Sequence, residues 1–100
     1  MNVTQIHAQI DQAVRQGGGT PAMASYLKKI MNAASSGKVG ACNLKSTAKG
    51  LFQFIDSTWE SCGGGNVWDV ATQCRNAVTL AKRNGSALEL VLGREPTAGA

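Results

Sequence analysis

The chain has 100 residues, of which 43% are hydrophobic and 16% are charged. This length suits one compact domain over residues 1–100 with a single small core, and it excludes a second domain of ordinary size. The formal net charge of +4 favours an anionic partner, a class that includes nucleic acid, membrane surfaces and the polymers of a bacterial wall.

No apolar stretch approaches the about 18 residues needed to cross a bilayer, and the first residues carry neither a basic patch nor an apolar signal core. We therefore expect no membrane insertion and no signal peptide. The cysteines form no CxxC pair and accompany a single histidine, so we expect no metal site and no cofactor. A disulfide between Cys62 and Cys74 is compatible with the short turn between them, and the pairing with Cys42 stays open.

Two amphipathic helices are predicted in the first third of the chain. The first runs from Val3 and ends before Gly17, with apolar residues at helical spacing. The second begins at Thr20-Pro21, because threonine can cap free amides and proline suits the first helical position. Position 34 falls at the end of this helix on its buried face, which comprises Met23, Tyr26, Leu27, Ile30, Met31 and Ala34. His7 and Asp11 stand one turn apart and are predicted to form a surface pair.

The remainder of the chain alternates loops with short helices. Residues 35–50 predict an irregular loop with a strand-like turn, of a length that is typically functional. A capping box at Ser57–Glu60 predicts a short helix, and a start between Asn66 and Asp69 predicts a long one that closes at Asn84. Residues 86–92 predict a last short helix. Five helices without alternating strands indicate an all-α domain, α+β at most.

Residues 46–59 read Ser-Thr-Ala-Lys-Gly-Leu-Phe-Gln-Phe-Ile-Asp-Ser-Thr-Trp. This stretch resembles the motif of the lytic transglycosylase and goose-type lysozyme family, which has serine, a small residue, alanine, Gly-Leu-Phe-Gln-Phe and Ser-Thr-Trp. In that family the motif follows a helix that ends in Glu-Ser-Ser-Gly, and here the helix ends in Ala-Ser-Ser-Gly at residues 34–37. A weaker match is Trp68-Asp69 before a helix with Asn76-Ala77. The resemblance covers residues 20–84, and phage wall-degrading proteins are the nearest in character.

The resemblance implies a lysozyme-like fold and cleavage of the β-1,4 bond between N-acetylmuramic acid and N-acetylglucosamine. A glutamate on the apolar face at position 34 would have a raised pKa and could protonate the bridging oxygen, whereas Ala34 cannot. In the transglycosylase branch the muramic acid 6-hydroxyl then closes an anhydro ring, and in the lysozyme branch water attacks. Both outcomes stay open.

The resemblance also implies a set of sugar-binding positions, namely Ser46, Gly50, Leu51, Gln53, Phe54 and Asn76. For Gln53 a structural role is the alternative, since a side-chain amide within an apolar run needs a partner. Phe54 could stack on a sugar or belong to the core, and Trp59 is expected in the core. Asp56, Glu60 and Asp69 are the acids near the motif, and any of them could serve as a second carboxylate, but helix capping is the favoured explanation for Glu60 and Asp69.

We therefore expect a monomeric enzyme of the wall-lytic class, disabled at position 34, whose partner is the glycan strand of peptidoglycan. It would act on the bacterial wall, in the periplasm or outside the cell, as part of a phage particle or after release at lysis. The alternative is a naturally acid-free module that binds wall glycan in a phage particle. A nucleic-acid-binding protein is disfavoured because the basic residues are dispersed. The missing late tyrosine and the ending at residues 94–97 indicate a chain cut from something longer.

Overall fold

The computed structural model describes residues 1–84, and these form an all-α domain. The described helices are α1 (Val3–Gln16), α2 (Pro21–Ser35), α3 (Asp56–Ser61) and α4 (Val70–Asn84). The predicted all-α class is confirmed. The helix predicted at residues 86–92 lies outside the described residues. None of the described helices is long and apolar enough to cross a membrane.

Helices α1 and α2 begin where capping residues favour a helix start. Asn2 caps α1 and exchanges hydrogen bonds with Gln5, so two free amide donors are satisfied at once. Thr20 caps α2 as predicted, because its hydroxyl accepts the N–H of Met23 at 3.2 Å and Pro21 follows in the first turn. The predicted bounds of both helices are therefore confirmed.

The central helix of the domain is α1, which packs against both α2 and α4. The core lies between these helices and includes the aromatic residues of the motif, and its largest fully buried side chains include Ile6, Ile10, Leu27, Met31, Leu51, Phe52 and Phe54. Asp11 pairs with Lys28 of α2 at 2.8 Å, so the predicted pair between His7 and Asp11 is wrong. Lys28 forms the ion pair, although His7 is closer in sequence, because the long lysine side chain reaches across the interface between α1 and α2.

The short helix α3 begins one residue before the predicted capping box. Ile55 is its N-cap residue and offers no side-chain cap, so Ser57 and Glu60 lie inside the helix instead of capping it. The N–H of Asp56 is satisfied from outside, by the hydroxyl of Thr47 at 2.9 Å. An acceptor supplied by the preceding loop thus replaces the local cap that the sequence predicted.

Helix α4 begins at Val70, and Asp69 directly precedes it. The carboxylate of Asp69 accepts the N–H and the hydroxyl of Thr72, at 3.0 and 2.7 Å, which is the predicted capping role. Asn66 instead closes a turn, since its side-chain oxygen accepts the N–H of Trp68. All three cysteines are free thiols, so a Cys62–Cys74 disulfide is not formed in this structure.

Candidate functional site

The last turn of α2 carries Ala34, the position at which the resemblance predicts a glutamate. Ala34 is half-buried and shares a helix face with the buried residues Ile30 and Met31. Ser35 is buried, and its hydroxyl donates to the carbonyl of Met31 at 3.1 Å. A side chain at position 34 therefore stands at the edge of the core, partly in contact with solvent.

The chain leaves α2 through two consecutive left-handed residues, Ser36 at φ 54° and Gly37 at φ 82°. The N–H of Ser36 donates to Asn32 and that of Gly37 to the hydroxyl of Ser35, so the end of the helix is satisfied within the turn. A Cβ on Gly37 would lie 3.0 Å from a methyl of Val3, so this exit packs against the start of α1. The hydrogen bonds and packing of this turn therefore fix the backbone that follows position 34.

The motif folds into a tight hairpin that two antiparallel bridges hold in place. Lys49 pairs with both Cys42 and Phe54. Lys49 and Phe54 exchange backbone hydrogen bonds of 3.0 and 3.1 Å, and the N–H of Gly50 donates to Ala41 at 2.7 Å. The strand-like turn predicted for this region is therefore present, and it links the loop of residues 35–50 to the Gly-Leu-Phe-Gln-Phe segment.

Gln53 occupies the last position of this hairpin turn in a left-handed conformation, with φ 55°. Its Nε2 donates to the carbonyl of Gly50 at 2.8 Å and to that of Ala41 at 3.2 Å, so both amide hydrogens hold the hairpin together. Among residues 1–84, the oxygen Oε1 has no hydrogen-bond partner of its own. The side chain is 9% exposed and thus has the structural role given above as its alternative.

Phe54 and Leu51 belong to the core, so their side chains are not placed at the surface. Phe54 is 1% exposed and meets Phe52 and Trp59 edge to face, with ring centroids 6.4 and 5.2 Å apart. Leu51 is fully buried. An aromatic ring that is buried in a small core contributes strongly to stability, and this favours a core position over a surface one. Trp59 is buried as predicted, and its indole N–H donates to Gly65.

Asn76, another predicted sugar-binding residue, is fully buried. Its Nδ2 donates to the carbonyl of Gly64 at 3.0 Å, and its Oδ1 accepts from the guanidinium of Arg75. The residue anchors the glycine turn that precedes α4. A buried amide with every partner inside the protein has nothing left to offer a ligand.

Gly50 and Ser46 have different surroundings within the hairpin loop. Gly50 is buried with φ 85°, and a Cβ there would lie 3.0 Å from the side-chain amide of Gln73, so the glycine allows close packing and not ligand approach from that side. Ser46 is exposed, and its hydroxyl accepts the N–H of Ala48 at 3.0 Å. Of the predicted sugar-binding positions, Ser46 is the one whose side chain is exposed, whereas Gln53 is 9% exposed.

The acids near the motif are committed to other roles. Asp56 pairs with Lys49 at 2.7 Å, which braces the hairpin against the start of α3. The hydrogen bonds from Thr72 lower the pKa of Asp69, so this carboxyl stays ionised and cannot donate a proton near neutral pH. Glu60 is exposed on α3.

Gln73 is a buried neighbour of the motif hairpin that the sequence did not predict. It is 1% exposed, its Oε1 accepts the N–H of Leu51 at 2.8 Å, and its Nε2 donates to the carbonyl of Val67 at 2.8 Å. One buried amide therefore joins three segments: the motif hairpin, the loop before α4 and α4 itself. A polar residue within an apolar helix stripe was the signal that could have found it.

A cavity of about 450 Å³ opens between α1 and α4, away from the motif. Its lining is mixed, and the polar members are Gln9, Gln12, Gln16, Thr72, Arg75, Thr79 and Lys82. None of the predicted sugar-binding residues lines it. Within residues 1–84, no group of three metal-ligating side chains is placed to hold a metal ion.

Comparison with protein families, with curated proteins and with solved structures gives no match for this chain.

Proposed function

We propose that this chain is a wall-lytic domain of the lytic transglycosylase and goose-type lysozyme class, disabled at position 34, whose partner is the glycan strand of peptidoglycan. The bond addressed is the β-1,4 link between N-acetylmuramic acid and N-acetylglucosamine. The placement of Ala34 carries the proposal, because this residue stands half-buried in the last turn of α2 beside Ile30 and Met31. Its place of action would be the bacterial wall.

A glutamate at position 34 would meet the conditions of a general acid. Partial removal from water raises a carboxyl pKa, and the carbonyls at the end of α2 add a negative field that raises it further. Such a group stays protonated near neutral pH and can donate to a bridging oxygen while positive charge develops on the sugar. With alanine at this position no proton can be donated, so the chain can bind glycan without cutting it.

The alternative is a module that binds wall glycan as part of a phage particle and never cleaves it. The committed carboxylates favour this alternative, since Asp56 is paired with Lys49 and the pKa of Asp69 is lowered. The two candidates agree on the ligand and differ in what happens when the acid is supplied.

Binding is tested by nuclear magnetic resonance with soluble muropeptides and chitin oligosaccharides. We expect shifts of the side-chain amide of Gln53 and of the backbone amides near Ser46, because Ser46 is exposed and the Gln53 amide reports on the hairpin that it holds together. Thr79, on the cavity between α1 and α4, serves as the reference position. Shifts confined to Thr79 and its neighbours would place the ligand elsewhere and refute the hairpin site.

A further inference from the structure

Two tryptophans occur in the chain, and their surroundings are opposite. Trp59 is 4% exposed inside the core, whereas Trp68 is 44% exposed. Exposure of so large an apolar surface is unfavourable in water. An exposed aromatic side chain points to a binding role most clearly where hydrogen bonds fix its backbone. The segment that carries Trp68 is held in this way.

The turn of residues 66–69 fixes Trp68 through short-range hydrogen bonds. Its N–H donates to the side chain of Asn66 at 3.0 Å, and the N–H of Asp69 donates to the carbonyl of the same asparagine at 3.1 Å. Asp69 then starts α4 by accepting from Thr72. Because these hydrogen bonds hold the backbone on both sides of Trp68, its indole is attached at a defined position on the surface.

Gln73 connects this turn directly to the motif hairpin. Its Nε2 donates to the carbonyl of Val67, the residue before Trp68, and its Oε1 accepts the N–H of Leu51, the residue after Gly50. Gly50 itself packs against the Gln73 amide, within 3.0 Å of where its own Cβ would stand. One buried side chain therefore sets the distance between the Trp68 turn and the hairpin that holds Gln53.

We propose that Trp68 is a stacking platform for a pyranose ring of the wall glycan, at the edge of the hairpin. This inference rests on the proposed function and adds a contact to which the family resemblance gives no role. The C–H face of a β-linked N-acetylhexosamine is apolar and matches a flat indole, while its hydroxyl and acetamido groups need acceptors such as the Gln53 oxygen. An exposed aromatic on a turn that Gln73 joins to the hairpin offers the apolar part of this contact.

The test uses the full chain labelled with 5-fluorotryptophan, with chitotetraose and soluble muropeptides as probes. The fluorine signal of Trp68 should shift on titration, and that of the buried Trp59 should not. Trp68→Ala should weaken binding by about fivefold to tenfold, the measurable equivalent of one aromatic stacking contact, and Trp68→Phe should recover most of it. Leu44→Ala is the matched control, because Leu44 is fully exposed on the hairpin loop and should leave affinity unchanged.

The possible failures are distinguishable. If Gln53 shifts on titration while the Trp68 signal and the affinity of Trp68→Ala stay unchanged, glycan binds at the hairpin and the stacking role is refuted. If neither oligosaccharide perturbs any residue of the folded protein, the proposed function falls and the stacking role with it. Melting curves of each variant confirm that a loss of binding is not a loss of fold.

Discussion

The side-chain oxygen of Gln73 accepts the backbone N–H of Leu51 at 2.8 Å, across 22 residues of sequence. Through this bond α4 holds the middle of the Gly-Leu-Phe-Gln-Phe segment. Both groups are buried, so the bond is shielded from competing water.

Truncation of that amide should be among the more damaging single changes in the domain. Gln73→Ala leaves the N–H of Leu51 without its partner in the core and removes the bond to Val67, which should lower the free energy of unfolding by about 2–4 kcal/mol. Urea unfolding measures the change. Gln12→Ala, an exposed position on α1, is the control and should stay within about 0.5 kcal/mol of the parent. A loss below about 1 kcal/mol at Gln73 would contradict the clamp.

Gln53 allows the strain of its backbone to be separated from the value of its amide. Gln53→Ala removes two hydrogen bonds from the hairpin and keeps the left-handed backbone, so we expect a loss of about 1–3 kcal/mol. Gln53→Gly removes the same bonds but relieves the φ of 55°, so it should be less damaging by about 1 kcal/mol. Equal losses in thermal melts would show that position 53 is not left-handed in solution.

Gly50 is tested against a glycine of the same loop. A methyl group at Gly50 would meet the Gln73 amide at 3.0 Å with the backbone at φ 85°, so Gly50→Ala should cost about 1–3 kcal/mol. Gly40 has no atom within 4 Å of its would-be Cβ, and Gly40→Ala should be nearly neutral. The two variants are compared by chemical unfolding, and equal stabilities would contradict the close packing of Gly50 on α4.

Local signals predicted the first two helices because their physics is local. Thr20 caps α2 and Pro21 follows, and both effects depend on neighbours within four residues. The capping box at Ser57 and Glu60 failed because the free donor at the start of α3 is satisfied by Thr47, a partner nine residues away. Sequence spacing has no means of ranking such a distant hydroxyl against a local one.

The candidate site was predicted less well than the fold, for a similar reason. The motif identified Phe54 and Asn76 as sugar contacts, yet the first belongs to the aromatic cluster and the second anchors the glycine turn. Gln73 was overlooked because apolar periodicity scores a helix face by its hydrophobic members and ignores a polar one that is fully paired. Burial depends on which segments meet, and that is decided by the tertiary fold.

The three thiols should differ in reactivity. Burial raises the pKa of Cys74 to about 12, with a smaller contribution from the charge of Asp69, whereas Cys42 is exposed. A thiol reagent at neutral pH should therefore modify Cys42 first and reach Cys74 only after unfolding, since the thiolate is the reactive form. Mass spectrometry of partly labelled protein gives the order. Labelling of Cys74 as fast as Cys42 in the folded protein would contradict its burial.

The same raised pKa makes a prediction about alkaline stability. Above the unfolded value of 9.0 the Cys74 thiol ionises only in the unfolded chain, so its contribution to stability is complete below that pH and is lost as pH rises toward about 12. The difference in unfolding free energy between the parent and Cys74→Ala should shrink by up to about 1.4 kcal/mol per pH unit in this range. A difference that stays constant with pH would contradict the shift.

The central claim is that position 34 lacks only the acid, and turnover of purified Gram-negative peptidoglycan by Ala34→Glu tests it most directly. We expect Ala34→Glu to release soluble muropeptides. The parent and Ala34→Gln, whose side chain has the shape of glutamate without the acid, should release about a hundredfold less or none, because they lack a general acid. Product mass distinguishes an anhydro ring from hydrolysis. If folded Ala34→Glu binds wall glycan and releases no more product than Ala34→Gln, the disabled-enzyme account is wrong.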